Sequence, residues 1–232
     1  MNSSAGNDAD VRVVCFDLGG VVVRIARSWA EACDAAGIEV RGGDSFKAPD
    51  LQSGRRELSD AYQIGEMDCQ AYFERIADRS AGLYRPDEIE AIHRAWVFDP
   101  YPGVESLIDE LNALDRIHTA CLSNTNHSHW QDLKSETNGE WRVRAIQKLG
   151  THLVSHEMNA VKPEEVIYRK AERLLGASGG EIVFFDDLAE NVDGALDLGW
   201  RAFRIDHDGD TAAQMRVHLT DLGVLSGSQA SG

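Results

Sequence analysis

The chain has 232 residues, a formal net charge of −16 at pH 7 and a hydrophobic fraction of 43%. This length suits one domain with a sizeable insertion or two small domains, and the hydrophobic fraction excludes global disorder. The acidic charge repels phosphate backbones, so we expect no nucleic-acid partner. A phosphorylated small molecule would need local positive charge at its binding site.

The cysteine pattern and the hydropathy suggest where the protein works. None of the four cysteines forms a CxxC pair, and Cys15 and Cys121 lie in apolar runs, which favours buried thiols in a reducing compartment. No apolar stretch approaches the roughly 20 residues of a membrane span. The polar residues 1–10 lack the apolar core of a signal peptide. We therefore expect a cytoplasmic protein without a membrane partner, as a monomer or homodimer.

The first predicted element is an apolar strand over residues 11–16, which ends at Asp17 and is followed by Gly19 and Gly20. A buried parallel strand of this kind delivers Asp17 to the carboxyl edge of a sheet, where open α/β sheets bind ligands. A carboxylate there loses hydration unless a cation or several donors meet it. The pattern therefore predicts partners for Asp17 elsewhere in the chain.

A helical insertion is predicted after this strand, because no central strand is recognisable between residues 27 and 96. The predicted helices cover residues 28–36, a stretch around 59–62, and residues 68–77 and 86–97. We interpret this segment as a cap domain, residues 27–96, and the α/β core as residues 10–26 and 97–225. A cap above the sheet edge can exclude water and contact the substrate. The alternative is a helical decoration without a catalytic part.

Strands and helices alternate through the rest of the chain. Strands are predicted over residues 119–123, 151–155, 182–186 and 201–205, and helices over residues 104–114, 164–175 and 191–198. This alternation predicts the α/β class with a doubly wound parallel sheet.

Two polar motifs occur later in the chain, one at the end of the strand over residues 119–123 and one before the helix over residues 164–175. Ser123 and Asn124 end a strand and begin a run of small polar residues that can cradle an anion or simply cap the next helix. Lys162 precedes Pro163, which fits the first position of a helix. A lysine beside the positive end of a helix dipole is unfavourable, so a functional role gains weight over a solvated surface position.

Asp186 and Asp187 end the next strand as a pair of adjacent carboxylates. Such a pair is repulsive unless a cation bridges it, and a hard, oxygen-seeking ion such as Mg²⁺ is the natural candidate. The alternative is that Asp187 or Asn191 caps the following helix, which explains one polar residue but not both.

The order of these motifs resembles the haloacid dehalogenase superfamily of phosphatases and related hydrolases. The resemblance covers about residues 11–205 and is carried by the phrases FDLGGV, LSNTN, KP and FFDD. It is strongest to the branch that contains the glucose-1-phosphate phosphatases, and the phosphatase domains of soluble epoxide hydrolases share several phrases. The resemblance implies a Rossmann-like core with a helical cap.

The resemblance also implies an activity. It indicates a Mg²⁺-dependent phosphatase that hydrolyses a small phosphorylated metabolite, such as a sugar phosphate, through an aspartyl-phosphate on Asp17. Ser123 and Asn124 would bind the phosphoryl group, and Lys162 would neutralise both the phosphate and Asp17. The metal ligands implied are Asp17, the backbone carbonyl of Gly19, and Asp187 with Asp186 in support.

Gly19 is the main departure from the family pattern. Typical phosphatases of the superfamily have an aspartate there as general acid and base, and losing such a group costs about 10²–10⁴-fold. The reaction could proceed without this aspartate if the substrate has a good leaving group, such as an anomeric or acyl phosphate. The alternative is a proton donor elsewhere, for which the candidates are His127, His129, His156 and Glu157. Each of these also fits an ordinary polar position.

Two other functions stay open. Metal-independent carbon–halogen hydrolysis would use the same Asp17, but the aspartate pair and the missing aromatic residue at Gly19 argue against it. A catalytically weak, phosphate-binding pseudoenzyme would explain Gly19, but it would not need Asp17. In the insertion, Arg27, Arg55 and Arg56 either meet an anionic or hydroxylated substrate or are surface charges.

Overall fold

The computed structural model describes residues 10–42 and 57–226. Its strands, in chain order, are β1 Val13–Phe16, β2 Val23–Ile25, β3 Val97–Pro100, β4 His118–Ser123, β5 Glu136–Thr137, β6 Glu140–Trp141, β7 Thr151–Val154, β8 Ile182–Asp186 and β9 Arg201–Arg204. Five of them form a parallel sheet in the order β7-β4-β1-β8-β9. The predicted doubly wound α/β sheet is confirmed.

Helices cover the sheet and fill the insertion. They are α1 Trp29–Ala35, α2 residues 57–63, α3 Cys69–Arg79, α4 Pro86–Arg94, α5 Val104–Asn112, α6 His127–Leu133, α7 Arg144–Gln147, α8 Ser155–Met158, α9 Glu165–Leu175, α10 Ala189–Leu196 and α11 Thr211–Asp221. Among the described residues 10–42 and 57–226, no helix combines the length and the apolar character needed to cross a membrane.

Strand β1 is buried along its whole length because helices cover both faces of the sheet. Val14 and Phe16 point into one hydrophobic cluster, and Val13 and Cys15 point into another on the opposite face. The continuous apolar run of this strand is what burial on two faces requires.

The chain places the end of β1 at the topological switch point of the sheet. From β1 the chain builds outward through β4 to β7, and then returns to place β8 and β9 on the other side of β1. The crevice beyond the carboxyl ends of the strands opens where the strand order reverses, and ligands bind there in open α/β sheets. Asp17 therefore lies between the segments that follow β4 and β8.

Helices α1 to α4 pack around a hydrophobic cluster of their own, which we call the insertion cluster. Its buried members are Ala26, Ala32, Cys33, Leu58, Phe73, Ile76, Ala77, Tyr84, Ile89 and Ile92. Ser28 and Asp68 start helices α1 and α3 by accepting backbone N–H groups of the first turn. Amphipathic helices that share one apolar cluster can pack without a sheet.

Several local predictions need correction. The helix predicted to reach residue 97 ends at Arg94, because Val97 pairs with Ile25 in the antiparallel β2–β3 ribbon at the base of the insertion. The short β5–β6 hairpin was not predicted, although Asn138 and Gly139 both have positive φ, as its tight turn requires.

The helix that follows Lys162 also begins later than predicted. Its N-cap is Glu164 and α9 starts at Glu165, so Pro163 lies outside the helix instead of at its first position. In contrast, α10 starts at Ala189, two residues before the predicted start at Asn191.

Candidate active site

Asp17 is buried directly after β1, at the switch point. Its backbone N–H donates to the carbonyl oxygen of Phe185 over 2.8 Å, which ties the residue to β8. Burial raises the pKa of Asp17 to about 7, and the nearby Lys162 opposes this shift. The charge of this carboxylate therefore depends on the cations that meet it.

Lys162 lies beneath the site with its side chain fully buried. Its Nζ donates to Asp17 Oδ1 over 2.9 Å and to Asp186 Oδ2 over 2.6 Å. Burial by itself would lower the pKa of Lys162, but the two carboxylates outweigh it and raise that pKa. Lys162 is thus a permanent cation between two carboxylates, and the alternative of a solvated surface lysine is wrong.

Asn124 positions Lys162. Its Nδ2 donates to the backbone carbonyl of Lys162 over 2.9 Å, and its Oδ1 accepts the backbone N–H of Lys162 over 2.8 Å. This two-point clamp joins the end of β4 to the loop before α9. The sequence suggested that Asn124 binds the phosphoryl group, but its side-chain amide is used to hold the loop that carries the lysine.

Asp186 is fully buried and its carboxylate is saturated with donors. Besides Lys162, the side-chain amide of Asn191 lies 3.0 Å from both of its oxygens, and the backbone N–H of Leu188 donates over 2.9 Å. The capping alternative is wrong, since α10 has no side-chain cap at its N-terminus. Asp186 therefore orients the lysine, and its oxygens are less available to a metal than those of its neighbour.

Asp187 is held by a cation from the insertion. Arg27 Nη1 donates to Asp187 Oδ2 over 2.6 Å, and His207 Nδ1 lies 3.6 Å from the same oxygen. Gly20, with φ +82°, lets the chain pass this pair, since a Cβ there would lie 2.5 Å from both Arg27 Nη2 and Asp187 Oδ2. Arg27 is therefore not a free surface charge, and it also lines the cavity beside the site.

Three carboxylates converge at one point. Asp17, Asp186 and Asp187 each offer an oxygen within 4.8 Å of the others. The described cations in hydrogen-bonding contact with them are Lys162 and Arg27, so the cluster keeps an excess of negative charge. Asp17 and Asp187, which each offer a carboxylate oxygen to this cluster, have the hard donor chemistry that suits a divalent cation.

A cavity of about 500 Å³ lies above this cluster, between the sheet edge and the insertion. Gly19, Ser123 and Asn124 line its floor. The hydroxyl of Ser123 makes no hydrogen bond within residues 10–42 and 57–226, although the residue is only 2% exposed. A hydroxyl that lines a cavity and has no internal partner is suited to hydrogen-bond a ligand.

Gly19 is covered by an apolar side chain. A Cβ at this position would lie 3.0 Å from Ile25 Cδ1. An aspartate side chain at this position would thus press against a hydrocarbon group from β2, which would have to shift by a few tenths of an ångström. The structure puts no proton donor directly over Gly19 within the described residues.

The histidines suggested as proton donors lie elsewhere or are already bonded. His129 lines the cavity, but its Nε2 faces the carbonyl oxygen of His93 at 2.7 Å and its Nδ1 faces Asn126 Nδ2 at 3.2 Å. His127 and Glu157 are exposed and His156 is largely buried, and all three lie outside the lining of the cavity. None of them is placed to protonate a leaving group in this conformation.

His129 and His93 instead join the core to the insertion. Their rings stack with centroids 3.8 Å apart, and His93 Nε2 lies 3.3 Å from Asn126 Oδ1. Burial lowers the pKa of His129 to about 4 and lowers the pKa of His93 well below its usual value. Both imidazoles are therefore neutral at pH 7, which allows the close stack.

This pair predicts a loss of stability in mild acid. The unfolded chain protonates these imidazoles near pH 6.5 while the folded chain does not, so the free energy of unfolding falls as pH drops from about 6.5 toward 4. Each histidine contributes up to about 1.4 kcal/mol per pH unit. Urea unfolding between pH 7 and 5 measures this slope, which His129→Gln should reduce and exposed His127→Gln should not. An unchanged slope in His129→Gln would contradict the assignment.

Two predicted arginines, Arg55 and Arg56, lie outside the described residues. Of the others, the structure gathers Asp17, Gly19, Ser123, Asn124, Lys162, Asp186 and Asp187 around the switch point. Sequence reasoning missed the role of Asn191, whose spacing of five residues from Asp186 was visible as a signal. It also missed Ile25, for which the sequence held no signal.

Comparisons with known proteins agree with this arrangement. A family model described as haloacid dehalogenase-like hydrolase matches residues 11–199. Phosphatase MT3486 of Mycobacterium tuberculosis is 36% identical over 73 residues, which cover 32% of this chain and 34% of that protein. Bifunctional epoxide hydrolase 2 of Sus scrofa is 23% identical over 237 residues, which cover 93% of this chain and 40% of that protein. The chain thus matches well under half the length of either relative.

Solved structures support the same fold. The HAD family enzyme bt-2542 of Bacteroides thetaiotaomicron, in complex with magnesium and inorganic phosphate, has a TM-score of 0.71 at 19% identity, covering 89% of this chain and 100% of that one. The L-2-haloacid dehalogenase of Xanthobacter autotrophicus has a TM-score of 0.59 at 20% identity, covering 92% and 87% of the two chains. At these identities the likeness concerns the fold.

Proposed function

Because this chain belongs to the haloacid dehalogenase-like hydrolases, we propose that it is a Mg²⁺-dependent phosphatase. It would hydrolyse a small phosphorylated metabolite through an aspartyl-phosphate on Asp17. The observation that carries the proposal is Lys162 Nζ, buried 2.9 Å from Asp17, which lies next in the chain to the cavity-lining residues Leu18 and Gly19. A fixed cation beside a nucleophile suits a dianionic substrate in an otherwise acidic protein.

The residues of the site divide the reaction between them. Ser123 donates its hydroxyl to a phosphoryl oxygen, and Lys162 offsets the charge of that oxygen while it keeps Asp17 ionised and oriented. Asp17 attacks phosphorus in line with the leaving oxygen. Water then cleaves the phosphoryl-aspartate bond and restores the carboxylate. Asp186 and Asn124 act through Lys162 and are positioning residues.

The residues present fit a magnesium ion. Asp17 and Asp187 would hold it, together with the backbone carbonyl of Gly19, because these groups supply the hard oxygen donors that Mg²⁺ prefers. When bound, Mg²⁺ supplies charge stabilisation to the phosphoryl oxygens in the transition state. Asp186 contributes less directly, since its oxygens already accept Lys162, Asn191 and Leu188.

We further propose that helices α1 to α4 are a cap, residues 27–96, over a core of residues 10–26 and 97–225. Support comes from the separate insertion cluster and from the cavity between these helices and the sheet edge. A cap in this position excludes water from the reacting phosphoryl group.

The test is an assay of the purified chain with 4-nitrophenyl phosphate and a panel of metabolite phosphates. We expect phosphate release that needs Mg²⁺ and stops when EDTA is added. Failure to hydrolyse any phosphate ester in the presence of Mg²⁺ would overturn the proposal. Chloride release from 2-chloropropionate in the presence of EDTA would favour the dehalogenase alternative instead.

Arg27 provides a test of the metal site that does not depend on activity. Because Arg27 donates to Asp187 over 2.6 Å, bound Mg²⁺ must share this carboxylate with a like charge or displace it. We expect Arg27→Gln to bind Mg²⁺ roughly three- to tenfold more tightly in calorimetric titration. Arg24→Gln is the matched control, since Arg24 is exposed and lies 3.9 Å from Asp99. Equal or weaker binding by Arg27→Gln would contradict the competition.

A further inference from the structure

The cavity above the phosphoryl floor has an apolar and largely aromatic lining. Beyond Gly19, Ser123 and Asn124, its walls are contributed mostly by the insertion helices and the β2–β3 ribbon. The apolar and aromatic wall residues are Val23, Ile25, Trp29, Tyr62, Tyr72, Ile76, Ile89, Trp96, Val97 and Leu133. A volume of about 500 Å³ falls in the range of pockets that enclose a whole small molecule. The leaving group of the substrate therefore meets hydrocarbon and ring faces.

Three of the aromatic wall residues have hydrogen-bond partners for their polar atoms, whereas Arg27, Ser28, Gln63 and Thr125 add polar groups to the lining. Trp29 Nε1 donates to Tyr84 Oη over 3.2 Å, and Tyr62 Oη donates to Cys69 Sγ over 3.0 Å. The hydroxyls of Ser59 and Tyr72 lie 3.2 Å apart. A flat ring buries its faces against these aromatic walls, whereas a sugar would place hydroxyl groups against much of the same apolar surface and lose water there.

The same walls hold no evident general acid. Within the described part of the chain, the lining contains no aspartate or glutamate side chain, and Ile25 covers Gly19. The imidazoles that line it are His93 and His129, which hold each other and Asn126. A leaving oxygen must therefore depart without a proton from these groups.

Both features select one chemical class. A phenolic oxygen departs readily as an anion, because a phenol such as the tyrosine side chain has a pKa near 10, whereas that of water is about 15.7 and alkyl alcohols are similarly weak acids. Its flat ring also matches the aromatic walls. Resting on the phosphatase function proposed above, we infer that the substrate is an aryl phosphate, a phosphate monoester of a phenol.

The reaction balances without a protein acid. A carboxylate oxygen of Asp17 forms a bond to phosphorus while the bond from phosphorus to the aryl oxygen breaks and its electron pair leaves with the phenolate. Water then attacks phosphorus and breaks the bond to Asp17, giving hydrogen phosphate and the free carboxylate. The second proton of the water neutralises the phenolate, so the products are a phenol and hydrogen phosphate.

The test compares substrates of matched shape on the Mg²⁺-loaded wild-type protein. Phenyl and cyclohexyl phosphate differ mainly in the acidity and flatness of the leaving alcohol, and glucose 6-phosphate tests the hydroxylated class. We expect kcat/KM for phenyl phosphate to exceed both others by at least about 100-fold, the scale of a missing general acid. Comparable values for cyclohexyl phosphate or glucose 6-phosphate would overturn the inference.

Acetyl phosphate separates this inference from the phosphatase function, because it is small and leaves easily without an acid. Asp17-dependent hydrolysis of acetyl phosphate without a preference for phenyl phosphate would refute the aryl class and leave the phosphatase standing. Absence of hydrolysis of acetyl phosphate and of every ester would refute the phosphatase itself.

A leaving-group series and one variant complete the test. On the wild type, kcat/KM should fall by more than about tenfold from 4-nitrophenyl to 4-methoxyphenyl phosphate, since no donor assists the poorer leaving group. In Gly19→Asp combined with Ile25→Ala, which makes room for a carboxyl group, the cyclohexyl-to-phenyl ratio of kcat/KM should rise at least tenfold over Ile25→Ala alone. A flat series on the wild type would overturn the inference even if the double variant fails to fold.

Discussion

Replacement of Asp17 by asparagine is expected to lower phosphate release by at least about 10⁴-fold, since removing a catalytic nucleophile leaves only binding and electrostatic effects. The amide keeps the shape of the side chain but cannot attack phosphorus. It also contributes less to holding a metal ion. Steady-state assays with 4-nitrophenyl phosphate and Mg²⁺ measure this loss, and the wild type should become phosphorylated on Asp17 during turnover while the variant should not.

Unfolding is not expected to explain the loss. Asp17 is buried beside Asp186 and Asp187, so a neutral side chain relieves repulsion, and Lys162 keeps Asp186 as its partner. We therefore expect the melting temperature of Asp17→Asn to equal or exceed that of the wild type. Asp99→Asn is the control, because this exposed aspartate lies away from the cavity. Turnover by Asp17→Asn at the rate of the wild type would refute the nucleophile.

Replacement of Lys162 by methionine is expected to cause the largest loss of stability among the site residues. The side chain is fully buried, and its Nζ is the cation shared by Asp17 and Asp186 at 2.9 and 2.6 Å. Removing one partner of a buried ion pair costs about 3–5 kcal/mol, since the charge left behind is uncompensated. For a chain of this length, that corresponds to a decrease in melting temperature of about 6–20 °C.

A surface lysine with similar partners provides the matched control. Lys148 Nζ lies 2.7 Å from both Glu105 and Asp109, but at the solvent-exposed surface, so Lys148→Met should cost less than about 1 kcal/mol. The deficit of Lys162→Met should also shrink as pH falls, because protonation neutralises the carboxylates left without a cation. Equal melting temperatures for the two variants would show that Lys162 is not the buried counter-ion described here.

The effect on catalysis should follow the effect on stability. Lys162 is proposed to neutralise both the phosphate and Asp17, so Lys162→Met should lose activity even at temperatures where it is folded. Circular dichroism at the assay temperature distinguishes the two effects. Full activity in a folded Lys162→Met protein would contradict the proposed role.

The strand that leads to Asp17 was predictable because a strand that is buried on both faces consists of a continuous run of apolar residues. The same holds for β8, whose predicted bounds match the structure. The aspartate pair after β8 was recognised as a site that needs cations. The partners of the pair differed from the single bridging cation that we expected. Asp186 accepts hydrogen bonds from Lys162 and Asn191, whereas Asp187 accepts one from Arg27.

The helix boundaries near the site were less predictable. Pro163 fits a first helical position on local grounds, yet α9 begins two residues later, and the Asn124 side chain clamps the preceding backbone. Helix propensity depends on the residues of one segment, whereas the hydrogen bonds between Asn124 and Lys162 join two segments 38 residues apart. Such a long-range contact has no signature in either segment alone.

The sequence by itself determined the α/β class, the switch-point position of Asp17 and the set of polar residues around it, because strand burial and strand-end chemistry are local properties. Only the tertiary structure decided which cation meets which carboxylate, that Asn124 holds Lys162, and that Ile25 covers Gly19. It also decided the aromatic character of the cavity. Those features depend on side chains from separate elements meeting across the boundary between sheet and insertion, and packing of that kind is set by the fold as a whole.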